Sequence, residues 1–434
     1  FQSLFDRDGN FWKGNCPVGL CKLPPQAWQP GADGFAANAG ERLDQPWQMS
    51  SLNVHAMMED REGNIWVGTV AGLERFRHNK LIRVPFPPEA ERLTIAHDAG
   101  GTVWAATNAS GDVQRLWKIV DGAMLPQPTG QKSSPVAQGS DGTVLVGGNL
   151  RIERRLGERL VASYPLPPLR PGESPRNFVI LVLEDRDSLW VAIGGRGLYR
   201  WHGGRWLGPD AHPQLRGVLY GAVDRHGRTW FGLRDNRLVL RDGARWRTYG
   251  AGDGIAVGNV RFIDARDDEV VISGDNGMAL LRSGRFHMVA AGQRDQLANV
   301  SGLVRTPDGD RWLNTSRGLL RVRAHDWQRT LDGLGTPAQP VLRTDLWNEV
   351  DGYPGSAETV TRTPSAFLAP DGKVWVSGTA GAAWFDPATV RRNALAPTVQ
   401  VQALQAAGRR LDPGVIGTLP AGTGQLQIDY TALS

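Results

Sequence analysis

One short pattern returns along the whole chain: an acidic turn with glycine, a tryptophan among β-branched residues, a second glycine turn, then another apolar run. Its clearest copy is residues 57–77, MMEDREGNIWVGTVAGLERFR. An apolar run ends in Asp60, Gly63 and Asn64 make a turn, Ile65-Trp66-Val67 make a strand, and Gly72 opens the turn into the strand from Leu73. Glycine at 63 and 72 supplies the positive φ that tight hairpins demand. Trp66 between β-branched neighbours suits a half-buried sheet face. A chain built of such units has to be read from its repeat.

Aligned on Trp66, the pattern gives nine copies, at Trp12, Trp66, Trp104, Leu145, Trp190, Trp230, Val271, Trp312 and Trp375. The common spacing is about 40 residues, the period of a four-stranded propeller blade. Seven copies keep the tryptophan and two replace it with an aliphatic residue, so the position is one core site repeated. The turns before it, such as DRDGN (6–10), DREGN (60–64), DRHGR (224–228) and PDGKV (370–374), are acidic. Their number argues for a turn device, with Asp as a local cap, and against metal ligands. Third strands follow at GRGLYRW (195–201) and DNGMALL (275–281), and fourth strands at HGGRWLG (202–208) and DGARWRTYG (242–250). The expected fold is therefore all-β: a β-propeller of four-stranded blades, seven to the ring, with the start of a β-sandwich at the C-terminus.

Linking stretches ADGFAAN (32–38), GDGIAVGN (252–259) and DGYPGSA (351–357) precede the innermost strands. They are expected to share one face with the loops after the tryptophan strands, while the Asp-Gly turns take the other. Residues 342–368 read as an insertion with Trp347, Glu349, Asp351, Tyr353 and Glu358, and the pattern changes after Asp386-Pro387. The expected division is 1–89 as two blades ending a preceding propeller, 90–391 as a seven-bladed propeller, and 392–434 as a new β unit. A single ring of eight or nine blades is the alternative.

Composition excludes several classes. Hydrophobic content of 41% and charged content of 21% are those of a globular protein. The net charge of +5 is spread without like-charge runs, which argues against nucleic acid as a partner. The longest apolar run, 178–183, is far shorter than the roughly 18–20 residues of a membrane helix. There is no initiator Met and no signal peptide, and the expectation is a piece of a longer protein whose membrane segments lie elsewhere. Cys16 and Cys21 flank a Pro-Val-Gly turn, where either a cross-hairpin disulfide in an oxidising compartment or two small buried residues would fit.

The units DREGNIWVGTVAGLERF, GAVDRHGRTWFGL and DGKVWVSGTAGAAWFDP resemble the propeller repeats of bacterial two-component sensors. The tail FDPATVRRNALAPTVQVQAL with LQIDYTALS is similar to the entry into the Ig-like three-tyrosine domain that follows those propellers. The resemblance implies the periplasmic sensor region of a hybrid histidine kinase, acting as a homodimer and joined to the membrane only through segments outside this sequence. It also implies a β-sandwich and one membrane helix that pass the signal to a kinase or a cyclase.

A search for chemistry gives little. The eight histidines show no metal spacing, and there is no phosphate loop and no nucleophile elbow. Asp185 and Asp187 are a close carboxylate pair in a degenerate repeat turn, of use for glycosidic chemistry only if they face each other across a pocket. Sialidase-like and streptogramin-lyase-like enzymes are the enzymatic alternatives, and a protein–protein scaffold is the other. No catalytic residue, cofactor or metal is assigned. A small-molecule ligand, a carbohydrate or an organic acid, fits best. Its expected contacts on the linking-loop face are Arg196, Arg234, Asn236, Asn259, Asn276, Arg317, Tyr353 and Glu358. Arginine and amide groups suit carboxylates and sugar hydroxyls, and Tyr353 is expected to stack on a sugar.

Overall fold

In the computed structural model each tryptophan unit becomes an antiparallel sheet. The structure describes residues 3–433 except 17–18, 26–40, 43–48, 78–79, 85, 87–91, 108–115, 121, 174–177, 267–268, 294, 359–360, 391–397, 407–408, 412–417 and 420. The linking stretch at 32–38 lies outside the described residues. Two compact units form, one from Asn79–Val390 and one from Phe1–His78 with Arg391–Ser434.

Among the described residues the larger unit holds seven four-stranded sheets. Their innermost strands are Thr94–His97 in blade 1, Ser133–Gln138 in blade 2, Val179–Glu184 in blade 3 and Tyr220–Val223 in blade 4. Val260–Asp264, Gly302–Arg305 and Ala366–Leu368 follow in blades 5, 6 and 7. Blades 1 to 6 run outward in chain order, each strand paired with the next. Blade 7 does not: its outermost strand is Ile82–Val84, which pairs Val84 with Ala382 and Ile82 with Trp384. The ring is thus closed by chain from before blade 1, which covers an otherwise open strand edge. The segment assigned from sequence to a preceding blade, 1–89, therefore gives its residues 82–84 to this ring.

The core lies between blades rather than within them. Val84, Ile95, Ile119, Phe367 and Trp375 pack blade 7 on blade 1, and Trp190, Leu181, Phe231 and Val239 pack blade 3 on blade 4. Trp104, Trp190, Trp230 and Trp312 are all but fully buried, as a repeated packing position requires.

Five of the acidic turns share one geometry. The indole N–H donates to the preceding aspartate in Trp12–Asp6 (2.8 Å), Trp66–Asp60 (2.8 Å), Trp104–Asp98 (3.2 Å), Trp190–Asp185 (2.7 Å) and Trp230–Asp224 (3.1 Å). The other oxygen of Asp60 accepts the backbone N–H of Glu62 and Asn64. Burial opposes ionisation of Asp60, but the bonds from Asn64, Trp66 and the turn backbone outweigh it and lower the pKa to about 2. Blade 6 departs from the pattern. Asp310 bonds Arg321 (2.6 Å) and the N–H of Ala324 (2.8 Å), at the start of a helix, Ala324–Gly333, that the repeat did not announce. Trp327 on that helix is buried against blade 5 and donates to Glu269 at 3.0 Å. The presumed insertion at 342–368 contains the fourth strand of blade 6, Asp345–Trp347, and the first strand of blade 7. What remains between them is a linker at 348–365.

In the smaller unit, Ser3–Phe5, Phe11–Cys16, Gly19–Leu23 and Glu41–Arg42 form a four-stranded sheet, and Val54–Glu59, Ile65–Thr69 and Gly72–Phe76 a three-stranded one. Trp12, Leu20, Val54, Met57, Ile65 and Val67 make a joint core between them. Cys16 and Cys21 are joined by a disulfide across the second and third strands. Thr398–Ala406, Arg409–Leu411 and Leu426–Leu433 form a further three-stranded sheet.

Candidate ligand site on the linking-loop face

The expected site residues fall in very different surroundings. Arg196, in the loop after the Trp190 strand, has a side chain with no exposure at all. Its Nε donates to Glu173 (2.9 Å), its Nη2 to the carbonyls of Pro167 (2.9 Å) and Pro168 (2.8 Å), and it lies over the Tyr199 ring. The expectation of a ligand contact is corrected here: Arg196 clamps its own linking loop. Tyr353 is corrected too. It is fully buried between blades 6 and 7 and donates its hydroxyl to Asn314, so no sugar can reach its ring.

Three amides come together where blades 4 and 5 meet. Asn236, at φ +58°, accepts the N–H of Gly258 (2.6 Å) and donates its own N–H to that residue's carbonyl (2.8 Å). Asn276 donates its backbone N–H to Val257 (3.0 Å), and the Asn259 side chain donates to Asp275 (2.6 Å). These residues shape the loops. Arg317 stands apart at blade 6, bonded to Gln293 and paired with Asp295 at 3.3 Å, beside a shallow polar hollow that includes Asn348, Glu349 and Ser356. Glu358 is half-buried in the 348–365 linker.

Arg234 is different. It is exposed on the loop after the Trp230 strand and has no hydrogen bond or ion pair with any described residue. It lines a cavity of about 230 Å³ between blades 3 and 4. Ile180, Ile193, Leu198, Leu215, Val218 and Leu219 wall that cavity, and Arg362 lines it with Arg234. Sequence reading missed Arg362, which comes from the linker and donates to the Val218 carbonyl at 2.6 Å. Burial, with the facing guanidiniums of Arg234 and Arg261, lowers the pKa of Arg362 from its ordinary value. A signal existed: Arg362 is one of two cations, with Arg343, in the stretch 342–368 already singled out as irregular.

Arg362 also borders a second cavity of about 340 Å³ in the central channel, lined by the innermost strands of blades 2 to 5. Tyr220 lines it, nearly fully buried, and its hydroxyl has no protein partner. His212, on the wall of the first cavity, is held between the rings of Trp190 (5.2 Å) and Trp246 (5.5 Å). Burial, then the charges of Arg200 and Arg241, lower its pKa, and its buried Nε2 has no partner among the described residues.

Neither member of the carboxylate pair at 185 and 187 lines either of these cavities. Asp185 accepts from Trp190, Thr229 (2.9 Å) and Arg241 (3.0 Å). Burial opposes the charge on Asp187, but hydrogen bonds including that from Ser188, with Arg241 and Arg200, bring its pKa to about 2, too low for a general acid at neutral pH. Among the described residues no group of His, Cys, Asp or Glu is arranged to hold a metal, and no helix is long and apolar enough to cross a membrane.

A sequence model of the two component regulator propeller matches residues 48–71. No curated protein matches the chain in sequence. Among solved structures, the extracellular domain of a hybrid two component system from B. thetaiotaomicron superposes with a TM-score of 0.69 at 13% identity, covering 100% of this chain and 59% of that one. The extracellular domain of a one component system from the same organism gives 0.51 at 13% identity, over 95% and 56%. The chain thus spans little more than half the length of each. A streptogramin B lyase, at TM-score 0.49 and 12% identity over 71% of this chain, is too distant to carry an argument about activity. The chain carries a two-component regulator propeller repeat and has the fold of these extracellular domains.

Proposed function

We propose that this chain is the extracytoplasmic ligand-sensing region of a two-component receptor, itself without catalytic activity. The observation that carries the reading is the regulator propeller repeat at 48–71, set in a chain whose whole length follows the fold of a hybrid two-component sensor's extracellular domain. The cavity lined by Arg234 and Arg362 supports it, because it joins an apolar wall to unmatched polar donors. Binding of a small solute there shifts the population of two sensor states, in a homodimer, and a histidine kinase across the membrane reads the shift. The test is a melting series of the isolated chain across neutral sugars and organic acids. A solute that binds only the folded state raises the melting temperature, and none of the panel is consumed. Turnover of a glycoside or lactone that disappears on mutating a single carboxylate would overturn the reading.

A further inference from the structure

The most unusual unassigned feature of the ring is a cluster of positive charge beside an apolar cavity. Arg234 comes from a loop of blade 4, Arg261 from the innermost strand of blade 5, and Arg362 from the linker before blade 7. Arg261 is matched by Asp275 at 2.7 Å. Arg362 bonds one neutral carbonyl, and Arg234 bonds nothing among the described residues. Drawing like charges together, with one of them partly desolvated, costs free energy that a bound anion would offset. The same repulsion appears in the lowered pKa of Arg362, after the larger effect of burial.

The walls then narrow the ligand class. A neutral sugar presents hydroxyl groups on most of its surface, and burying each without a partner is unfavourable. Ile180, Ile193, Leu198, Leu215, Val218 and Leu219 offer side chains with no polar atoms. A carboxylate matches the guanidinium fork, and a hydrocarbon body matches the wall. The volume of about 230 Å³ is below that of pockets for drug-sized ligands, so the body is small. We infer that the cavity between blades 3 and 4 binds a small organic acid with an apolar body, its carboxylate held by Arg362 and Arg234. This rests on the reading of the chain as a ligand sensor and chooses the ligand class for it.

The experiment is calorimetric titration of the whole chain with benzoate and hexanoate, against glucose, hexanol and sulfate. Benzoate or hexanoate binds, and Arg234→Ala weakens that binding about tenfold or more, the worth of a charge-assisted hydrogen bond. Arg362→Ala weakens it further, while Lys373→Ala, on the acidic-turn face, leaves it unchanged. Because Arg234 is exposed and unpartnered, its variant folds even if the Arg362 variant does not. Failure of both carboxylates to bind at millimolar concentration overturns the inference, as does equal affinity in Arg234→Ala. Sulfate binding as tightly as benzoate overturns it too, since the apolar wall would then contribute nothing. Glucose bound equally by wild type and both arginine variants overturns the organic-acid site and leaves the sensor reading standing. Turnover of a panel member removes the sensor reading and leaves the carboxylate site standing.

Discussion

On the face carrying the acidic turns, Asp98, Asp185 and Asp224 each accept an indole N–H from the tryptophan of their own blade. On the opposite face four arginines sit in four different surroundings. Arg196 is buried under its linking loop, Arg234 is exposed and unpartnered, Arg317 pairs with Asp295 at the rim, and Arg362 reaches across the channel mouth. Repetition on one face holds the blades at a fixed geometry, which frees the other to vary. The difference teaches where to look for function in a repeat protein: at positions the copies do not share.

The largest test of this comparison is Trp190→Ala. Trp190 is fully buried, bonds Asp185 and packs edge-on to Phe231 of the next blade at 5.0 Å. Truncation should cost about 3–5 kcal/mol, read as a lower denaturation midpoint of the chain. A loss under about 1 kcal/mol would mean that the repeated position does not hold adjacent blades together.

Arg196→Ala should come next, at about 2 kcal/mol, because it leaves two proline carbonyls without that donor and takes a buried guanidinium from Glu173, which keeps the Tyr199 hydroxyl as a partner. That expectation runs against the sequence reading, which grouped Arg196 with Arg234 and Arg317. Nothing in GRGLYRW tells a buried guanidinium from a solvated one, since the partners come from the 166–173 loop. Tyr353 was misread for the same reason: its Asn314 partner lies in another strand. The blade period, by contrast, was plain, because Asp60, Gly63 and Trp66 interact within a few residues and the same solution recurs. The strand at 82–84 carried no local sign that it would pair with 382–384. The helix at 324–333 did carry one, with Trp327, Thr330 and Leu334 at helical spacing. A strand period on either side hid it.

Acid should act in two stages, on His212 first and on the carboxylates after it. His212 has a folded pKa below its ordinary 6.5, so the unfolded chain takes up the proton first. Its contribution to stability is complete above about pH 6.5 and falls as the pH drops below that value. Asp60 and Asp187, with pKa values of about 2, contribute above about pH 4 and lose that contribution between pH 4 and 2. A melting curve against pH should therefore fall in two steps. His212→Gln should remove the upper step and leave the lower one. A single step near pH 4 in the wild type would show that His212 makes no separate contribution.

The smallest effect should come from Arg317→Ala. Its partner Asp295 is mostly exposed, the pair lies at 3.3 Å, and the Arg317 side chain is itself partly in solvent. Water screens such a pair, and holding two long side chains together costs entropy, so the net contribution is about 0–1 kcal/mol. The variant should melt within a degree or two of the wild type, and raising the salt should shrink even that difference. Set beside Arg196→Ala, it asks whether the same residue type, in equivalent loops of blades 3 and 6, differs only through burial. If Arg317→Ala destabilises the chain as much as Arg196→Ala, then the rim of blade 6 is part of the frame. The variable surface would then shrink to the cavity that Arg234 and Arg362 share.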